Sequence, residues 1–123
     1  MEVDMKVDVL GTEYKIEIHK FDNDVTLKNN SWAAYCCSDK PLIVIGDLDD
    51  DQNFKFHDAK EKDTYFKSCL RHEIVHAFLN ESGLKDSAQS PNGPWSKNEE
   101  MVDWIAIQFP KILQAFREIK CEE

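Results

Sequence analysis

The sequence predicts an α+β fold, in which a small antiparallel or mixed N-terminal sheet packs on a central helix and a second helix closes the C-terminus. Three observations carry this. Residues 3–18 alternate apolar and polar side chains with the two-residue period of half-buried strands, and residues 42–45 form a short apolar run. Two later segments, from about 59 to 82 and from 96 onward, carry apolar residues three and four apart behind capping sequences. The chain has 123 residues, enough for one core and too few for two, so a single domain must use both halves.

Taken in order, Val3, Met5, Val7 and Val9 alternate with Glu2, Asp4, Lys6 and Asp8, and Tyr14, Ile16 and Ile18 resume the alternation beyond Gly11. Two antiparallel strands around Gly11-Thr12-Glu13 follow from this, with His19 on the polar, solvent-facing phase. Asp22-Asn23-Asp24 reads as a turn. Ser31–Cys37 and Leu42–Ile45 form the next strand pair. The apolar run Leu42-Ile43-Val44-Ile45 suits an inner strand, and the mixed first segment suits an edge.

The acidic loop from Gly46 to Asn53 resembles the opening of a calcium loop. Gln52 stands where its sharp turn needs glycine, and Asp58 where a bidentate glutamate belongs, so the reading is a solvated loop. Asp58-Ala59-Lys60-Glu61 is a capping box for a helix that runs to Ser82 and stops at Gly83. Phe66, Leu70, Ile74, Val75, Ala77, Phe78 and Leu79 spread over most of its circumference, which predicts a helix buried at the centre of the domain.

Residues 81–96 form a Gly/Pro/Ser/Asn-rich loop that reads equally as a lid or a plain connector. Ser96-Lys97-Asn98-Glu99 then caps the last helix. Its stripe of Val102, Ile105, Phe109, Ile112, Leu113 and Phe116 is expected to be buried, with a kink at Pro110.

Composition narrows the function classes. With 24 acidic and 15 basic residues the formal charge is -9, which on average repels a phosphate backbone, and no Lys/Arg-rich stretch offers an exception. Nucleic acid is therefore not an expected partner. No apolar run approaches the roughly 20 residues of a membrane span, and the acidic N-terminus lacks a signal-peptide apolar region, so a cytoplasmic protein is expected. Cys36, Cys37, Cys69 and Cys121 show no Cys-x-x-Cys spacing and read as reduced thiols.

Chemistry concentrates in His72-Glu73-Ile74-Val75-His76. Histidines four apart project from one helix face, one turn above the other, and can take two corners of a zinc tetrahedron. Glu73 lies beside them, close enough to act on a zinc-bound water. Tyr65, Cys69 and Leu79 share the histidine face. Cys69 could approach the metal, although Cys, two His and Glu would close the site to water.

A third ligand must come from elsewhere, since no histidine follows His76. On the last helix Glu99 and Asp103 lie together at the border of the apolar stripe, facing the core, while Glu100 points to solvent. That selects Glu99 as ligand and leaves Asp103 to accept the other ring N–H of a ligand histidine. Ser96 with Glu99 as a mere helix cap is the competing reading.

His72-Glu73-Ile74-Val75-His76 followed by Asn98-Glu99-Glu100-Met101-Val102-Asp103 resembles the gluzincin pattern, His-Glu-x-x-His with a downstream Asn-Glu-x-x-x-Asp, of thermolysin-like peptidases. Leu70–Leu79, Glu81-Ser82-Gly83-Leu84 and Asn98–Pro110 are also similar to small zincin-like proteins of bacteriophages and prophages, minimal relatives of ImmA/IrrE-type metallopeptidases. The resemblance covers roughly the second half of the chain. It implies a minimal zincin-like fold, zinc on His72, His76 and Glu99, Glu73 as general base and Asp103 behind a ligand. It further implies a protein or peptide substrate and, for a phage protein, the host cytoplasm. One departure is that the histidine with which thermolysin-like enzymes stabilise the oxyanion, beyond the third ligand, has no counterpart here.

The expected activity is metalloendopeptidase hydrolysis of a peptide bond, with Tyr35 or His57 as the second electrophile for the oxyanion. Tyr65, two turns before His72, is less well placed. Two other readings stand beside it: a catalytically silent zinc-binding zincin fold that acts by binding a phage or host protein, and a metal-free helical protein in which the motif is accidental. The substrate and the oligomeric state are not encoded in any motif.

Overall fold

A computed structural model describes residues 5–50, 54–86 and 93–122. The architecture is α+β, with a four-stranded mixed sheet and three α-helices among the described residues. Strands β1 (Met5–Val9) and β2 (Thr12–His19) form an antiparallel hairpin in which Val7 pairs with Tyr14. Its turn places Leu10 and Gly11 at positive φ, 52° and 92°, and glycine takes that conformation at no steric cost.

Strand β4 (Leu42–Gly46) lies parallel to β2, with Ile16 beside Ile43 and Ile18 beside Ile45. Strand β3 (Ala34–Cys36) pairs antiparallel with β4 and forms one edge of the order β1-β2-β4-β3. The apolar run thus occupies an inner strand and the mixed segment an edge, although the edge strand is three residues rather than seven. Two parallel neighbours need a crossover. Here it contains a short helix, α1 (Val25–Asn30), where the sequence suggested only a turn. Asp24 caps α1 by accepting from the Leu27 N–H at 3.0 Å, and Leu27 is fully buried.

The core lies between the sheet and helix α2 (Ala59–Glu81). Val9, Tyr14, Ile16, Ile43 and Ile45 pack with Ala77, flanked by Phe66, Leu70 and Ile74. Strand alternation turns Val44 to the opposite face, where it too is fully buried. An inner strand covered on both sides reads as a continuous apolar run for this reason. Gly46 ends β4 beneath the Phe21 ring, which occupies the space a Cβ would need.

The capping box at the start of α2 is formed: the Glu61 N–H donates to Asp58 Oδ1 at 2.8 Å, and the His57 N–H donates to Glu61 Oε2 at 3.3 Å. Gly83, at φ 87°, follows the last turn. The expectation of a helix buried all round is corrected. Only Glu73, Ala77 and Asn80 of α2 are buried, and Phe78 is exposed, because the sheet covers one side and the last helix covers only part of another.

That last helix, α3 (Glu99–Glu118), continues through Pro110. Its cap is Asn98, whose side chain accepts from the Met101 N–H at 3.0 Å, and Ser96 lies before it in a 3-10 turn (Trp95–Lys97). The expected buried stripe is also corrected. Val102 and Ala106 are buried, but Phe109 and Phe116 are exposed.

In the acidic loop the Asp49 N–H donates to Asp47 Oδ1, and Lys62 pairs with Asp49, which makes the described part a self-bonded turn. Gln52, by contrast, and the heart of the proposed lid at Pro91-Asn92 lie outside the described residues. No helix among the described residues is long and apolar enough to cross a membrane.

Candidate metal centre

The two histidines sit where α2 meets α3, and a different acceptor anchors each. His72 Nδ1 is 2.7 Å from Asp103 Oδ1, and His76 Nδ1 is 2.5 Å from the Ser96 carbonyl oxygen. In the tautomer that gives each Nδ1 proton to its outer acceptor, both Nε2 atoms present lone pairs. Those lone pairs converge. The Nε2 atoms are 3.2 Å apart, and the Glu99 carboxylate reaches both, Oε2 to His72 and Oε1 to His76, each at 2.9 Å.

Three electron-rich groups in contact repel unless a proton or cation lies between them. Zinc bonds of about 2.0–2.2 Å at tetrahedral angles would separate ligand atoms by about 3.3 Å. The observed spacings of 2.9 to 3.2 Å are close to that figure. The residues present therefore fit a small divalent cation, with imidazole and carboxylate donors that suit zinc among others. A group of His72, Glu73 and His76 that could hold a metal ion also emerges from proximity alone, each offering an atom within 4.8 Å of the others. The two oxygens of Glu99 span the pair of imidazole nitrogens, each at 2.9 Å.

Glu73 is 6 % exposed, on the sheet side of α2. Burial pushes its carboxyl up to about 7; the negative charges of Glu99 and Asp103 add to the rise and His72 opposes it. Burial likewise holds the His76 imidazole below its ordinary value, against the pull of Ser96 and Glu99. A neutral imidazole is the ligating form.

Glu99 and Asp103 do not face the core as the helical wheel suggested. Their side chains are 66 % and 59 % exposed and reach the histidines across the mouth of the site. The apolar stripe of α3 docks through Val102 and Ala106, which leaves residues at its border on the rim.

A cavity of about 620 Å³ opens over this cluster. Strand β3 and Trp32 form one wall, α2 from Tyr65 to Asn80 the floor, and Lys97 with the first turns of α3 the other wall. Tyr35 lines it, but its hydroxyl donates to Asp24 Oδ2 at 2.8 Å and is already engaged. Burial and the Asp24 charge hold that phenol well above its usual range. His57 is not brought to the site. It precedes the cap of α2, about 20 Å of helix from His72, and is absent from the cavity lining.

Tyr65 and Cys69 line the cavity as the shared face predicted. No cysteine belongs to the metal-capable group among the described residues, and burial raises the Cys69 thiol away from its ligating form. All four cysteines are free.

Two contributors escaped the sequence reading. Ser96, taken as a cap, supplies a backbone carbonyl to His76, a role with no side-chain signature. Asp24, taken as a turn residue, holds Tyr35. Its Asn-Asp-Val-Thr context was a weak N-cap signal for α1.

Comparison with protein-family models, with curated proteins and with solved structures finds no match to this chain.

Proposed function

We propose that this protein is a zinc-dependent peptidase of zincin type, with His72, His76 and Glu99 as metal ligands and Glu73 as general base. The observation that carries this reading is the convergence of both Nε2 atoms on the Glu99 carboxylate, with each Nδ1 anchored from behind. A divalent metal held there supplies Lewis acidity, which acidifies water and polarises a carbonyl.

This chain's own residues supply the rest. Glu73, buried and raised to about 7, suits a base that takes a proton from the attacking water and returns it to the leaving amine. Asp103 and the Ser96 carbonyl keep the imidazoles in one tautomer and orientation. Edge strand β3 borders the cavity and offers backbone groups to an extended peptide. Charge developing on the carbonyl oxygen calls for a second donor. With the Tyr35 hydroxyl given to Asp24, the cavity wall offers Arg71 and Lys97 for this role.

The engagement of Tyr35 also favours a second reading, a metal-holding protein that binds a partner without cleaving it. Cleavage of an unbiased peptide library by zinc-loaded wild type and Glu73→Gln separates the two. The peptidase reading expects a loss of about 10²–10⁴-fold in the variant with unchanged zinc content. Equal, negligible cleavage by both would leave the binding reading standing.

A further inference from the structure

The cavity over the metal centre is a cleft with two unlike ends. At one end the Cys36 sulfur accepts from Asn80 Nδ2 at 3.8 Å, so β3 finishes beside the last turn of α2. At the other, the Gly46 N–H donates to the Ala33 carbonyl beneath the Phe21 ring, Phe21 stacks on Phe54, and Phe54 packs against Tyr65. Strand β3 therefore runs alongside α2 in the same direction, with the histidines between the two ends. The Tyr65 end is aromatic, with Trp32 also in its lining.

The Asn80 end is polar and incompletely bonded. Asn80 is 7 % exposed, and the partner of its amide among the described residues is a thiol, a weak acceptor. Ser96 is 1 % exposed, and its hydroxyl has no hydrogen-bond partner among the described residues. Buried polar groups are nearly always paired, so two under-satisfied ones lining one cavity leave bonds for an entering polar group to make.

Lys97 adds charge to this end. It lines the cavity, acts electrostatically on the Cys36 thiol, and forms no ion pair among the described residues. Glu81, one residue beyond Asn80, turns instead to Tyr14 and is absent from the lining. The acids of the lining are Glu73, Glu99 and Asp103, and its permanent cations are Arg71 and Lys97. A divalent cation at the imidazoles makes that set net positive, in a chain whose formal charge is -9. A cleft of opposite sign to its surroundings concentrates anions.

On the reading of this cavity as a peptide site, we infer that its Asn80 end, formed by Asn80, Ser96 and Lys97, receives a carboxylate of the bound peptide. The Lys97 ammonium gives a charge-assisted bond, and the second Asn80 Nδ2–H and the Ser96 hydroxyl give neutral ones. Asn80 lies four residues past His76, about 6 Å of rise. At about 3.3 Å per extended residue, the carboxylate belongs one or two positions from the group at the metal. An acidic side chain and a free C-terminus present the same chemistry there. Lys97 thus sets specificity, and Arg71 is left for the oxyanion.

Peptide retention tests this without requiring cleavage. Zinc-loaded Glu73→Gln protein is immobilised and offered degenerate peptide pools that contain a single Glu, Gln or Lys and no other charged residue, His or Cys. Each pool is made with free and with amidated C-termini. The expected result is about tenfold greater retention of the carboxylate-bearing pools, the low end for a hydrogen bond to a charged group. The overall charge of -9 would by itself favour the Lys pool. Preference for Glu over Gln among amidated pools assigns an acidic side chain; preference for free over amidated Gln pools assigns a C-terminus. With zinc content matched, Lys97→Gln should abolish the preference and Lys97→Glu should turn it toward the Lys pool. Equal retention of all pools, or of none, overturns the proposal. So does a carboxylate preference unchanged in Lys97→Gln, which would belong to the metal alone. Carboxylate-blind retention with cleavage by wild type would sink this subsite and keep the peptidase reading. Carboxylate-selective retention without cleavage would do the opposite.

Discussion

Two histidine–carboxylate clusters in this fold are built to opposite ends. At the first, His19 Nδ1 is 2.7 Å from Asp24 and its Nε2 is 2.9 Å from Glu17, so each nitrogen has its own acid. At the second, His72 and His76 each spend Nδ1 on an outer acceptor and turn Nε2 inward to a shared carboxylate. The first arrangement is complete with a proton: burial depresses the His19 imidazole, but hydrogen bonds to Asp24 and Glu17 outweigh it and its pKa is raised. The second brings two imidazoles onto one shared carboxylate, and burial lowers the His76 pKa. Histidine beside carboxylate is thus not in itself a metal site. What distinguishes one is convergence of lone pairs whose far sides are already satisfied.

The largest way to break this contrast is His76→Ala. Zinc affinity, measured by competition with a chromophoric chelator, should fall by more than the ~10–100-fold typical of losing an outer partner, whereas His19→Ala should leave it unchanged. Equal losses in the two variants would dissolve the distinction.

Asp24→Ala should do the reverse. It removes the cap of α1 and leaves the half-buried Tyr35 hydroxyl and His19 Nδ1 without their acceptor. Chemical denaturation should show a loss of about 2–4 kcal/mol, from a cap worth ~1 and the remainder from unpaired buried groups, with zinc affinity retained.

Asp103→Asn tests the outer anchor of His72. A drop of about 10–100-fold in zinc affinity is expected with little change in folding, since the Asp103 side chain is more than half exposed.

The smallest effect is in pH. The raised His19 pKa means its contribution is complete below its unfolded value of about 6.5 and fades as pH rises through the folded value. Asp24 is the opposite case. Burial would raise its pKa, but the Leu27 N–H, His19 and Tyr35 lower it, so its contribution is complete above its unfolded value of 3.8 and fades as pH falls through the folded one. The stability difference between wild type and His19→Gln should therefore be largest near pH 4–6.5 and shrink above it. Zinc affinity should run the other way, strengthening as pH rises, because a metal competes with protons for its donors. A stability difference that does not shrink as pH rises above about 6.5 would show that His19 does not titrate with folding.

Legibility in the sequence followed the range of the interaction. His72, Glu73 and His76 could be grouped because a four-residue spacing fixes their face, and the wheel of α3 separated Glu99 and Asp103 from Glu100. Strand β4 was recognisable as an inner strand from its unbroken apolar run. Helix α1 was harder to see, since six residues carry too little periodicity, and the tie from Asp24 to Tyr35 spans eleven residues between elements with no common repeat. The apolar stripe of α3 was read correctly as a stripe and wrongly as buried. Periodicity reports which residues share a face, never whether a neighbour covers it.

Sequence by itself thus determined local geometry: strand alternation, capped helices, and two imidazoles on one face with a glutamate beside them. Tertiary structure decided the rest. It selected Ser96 as the acceptor behind His76, gave the Tyr35 hydroxyl to Asp24, and left His57 some 20 Å of helix away from the histidines. The physical reason is that hydrogen bonds and covered surface belong to pairs of elements. Local propensity sets each element singly, and only packing determines which groups meet.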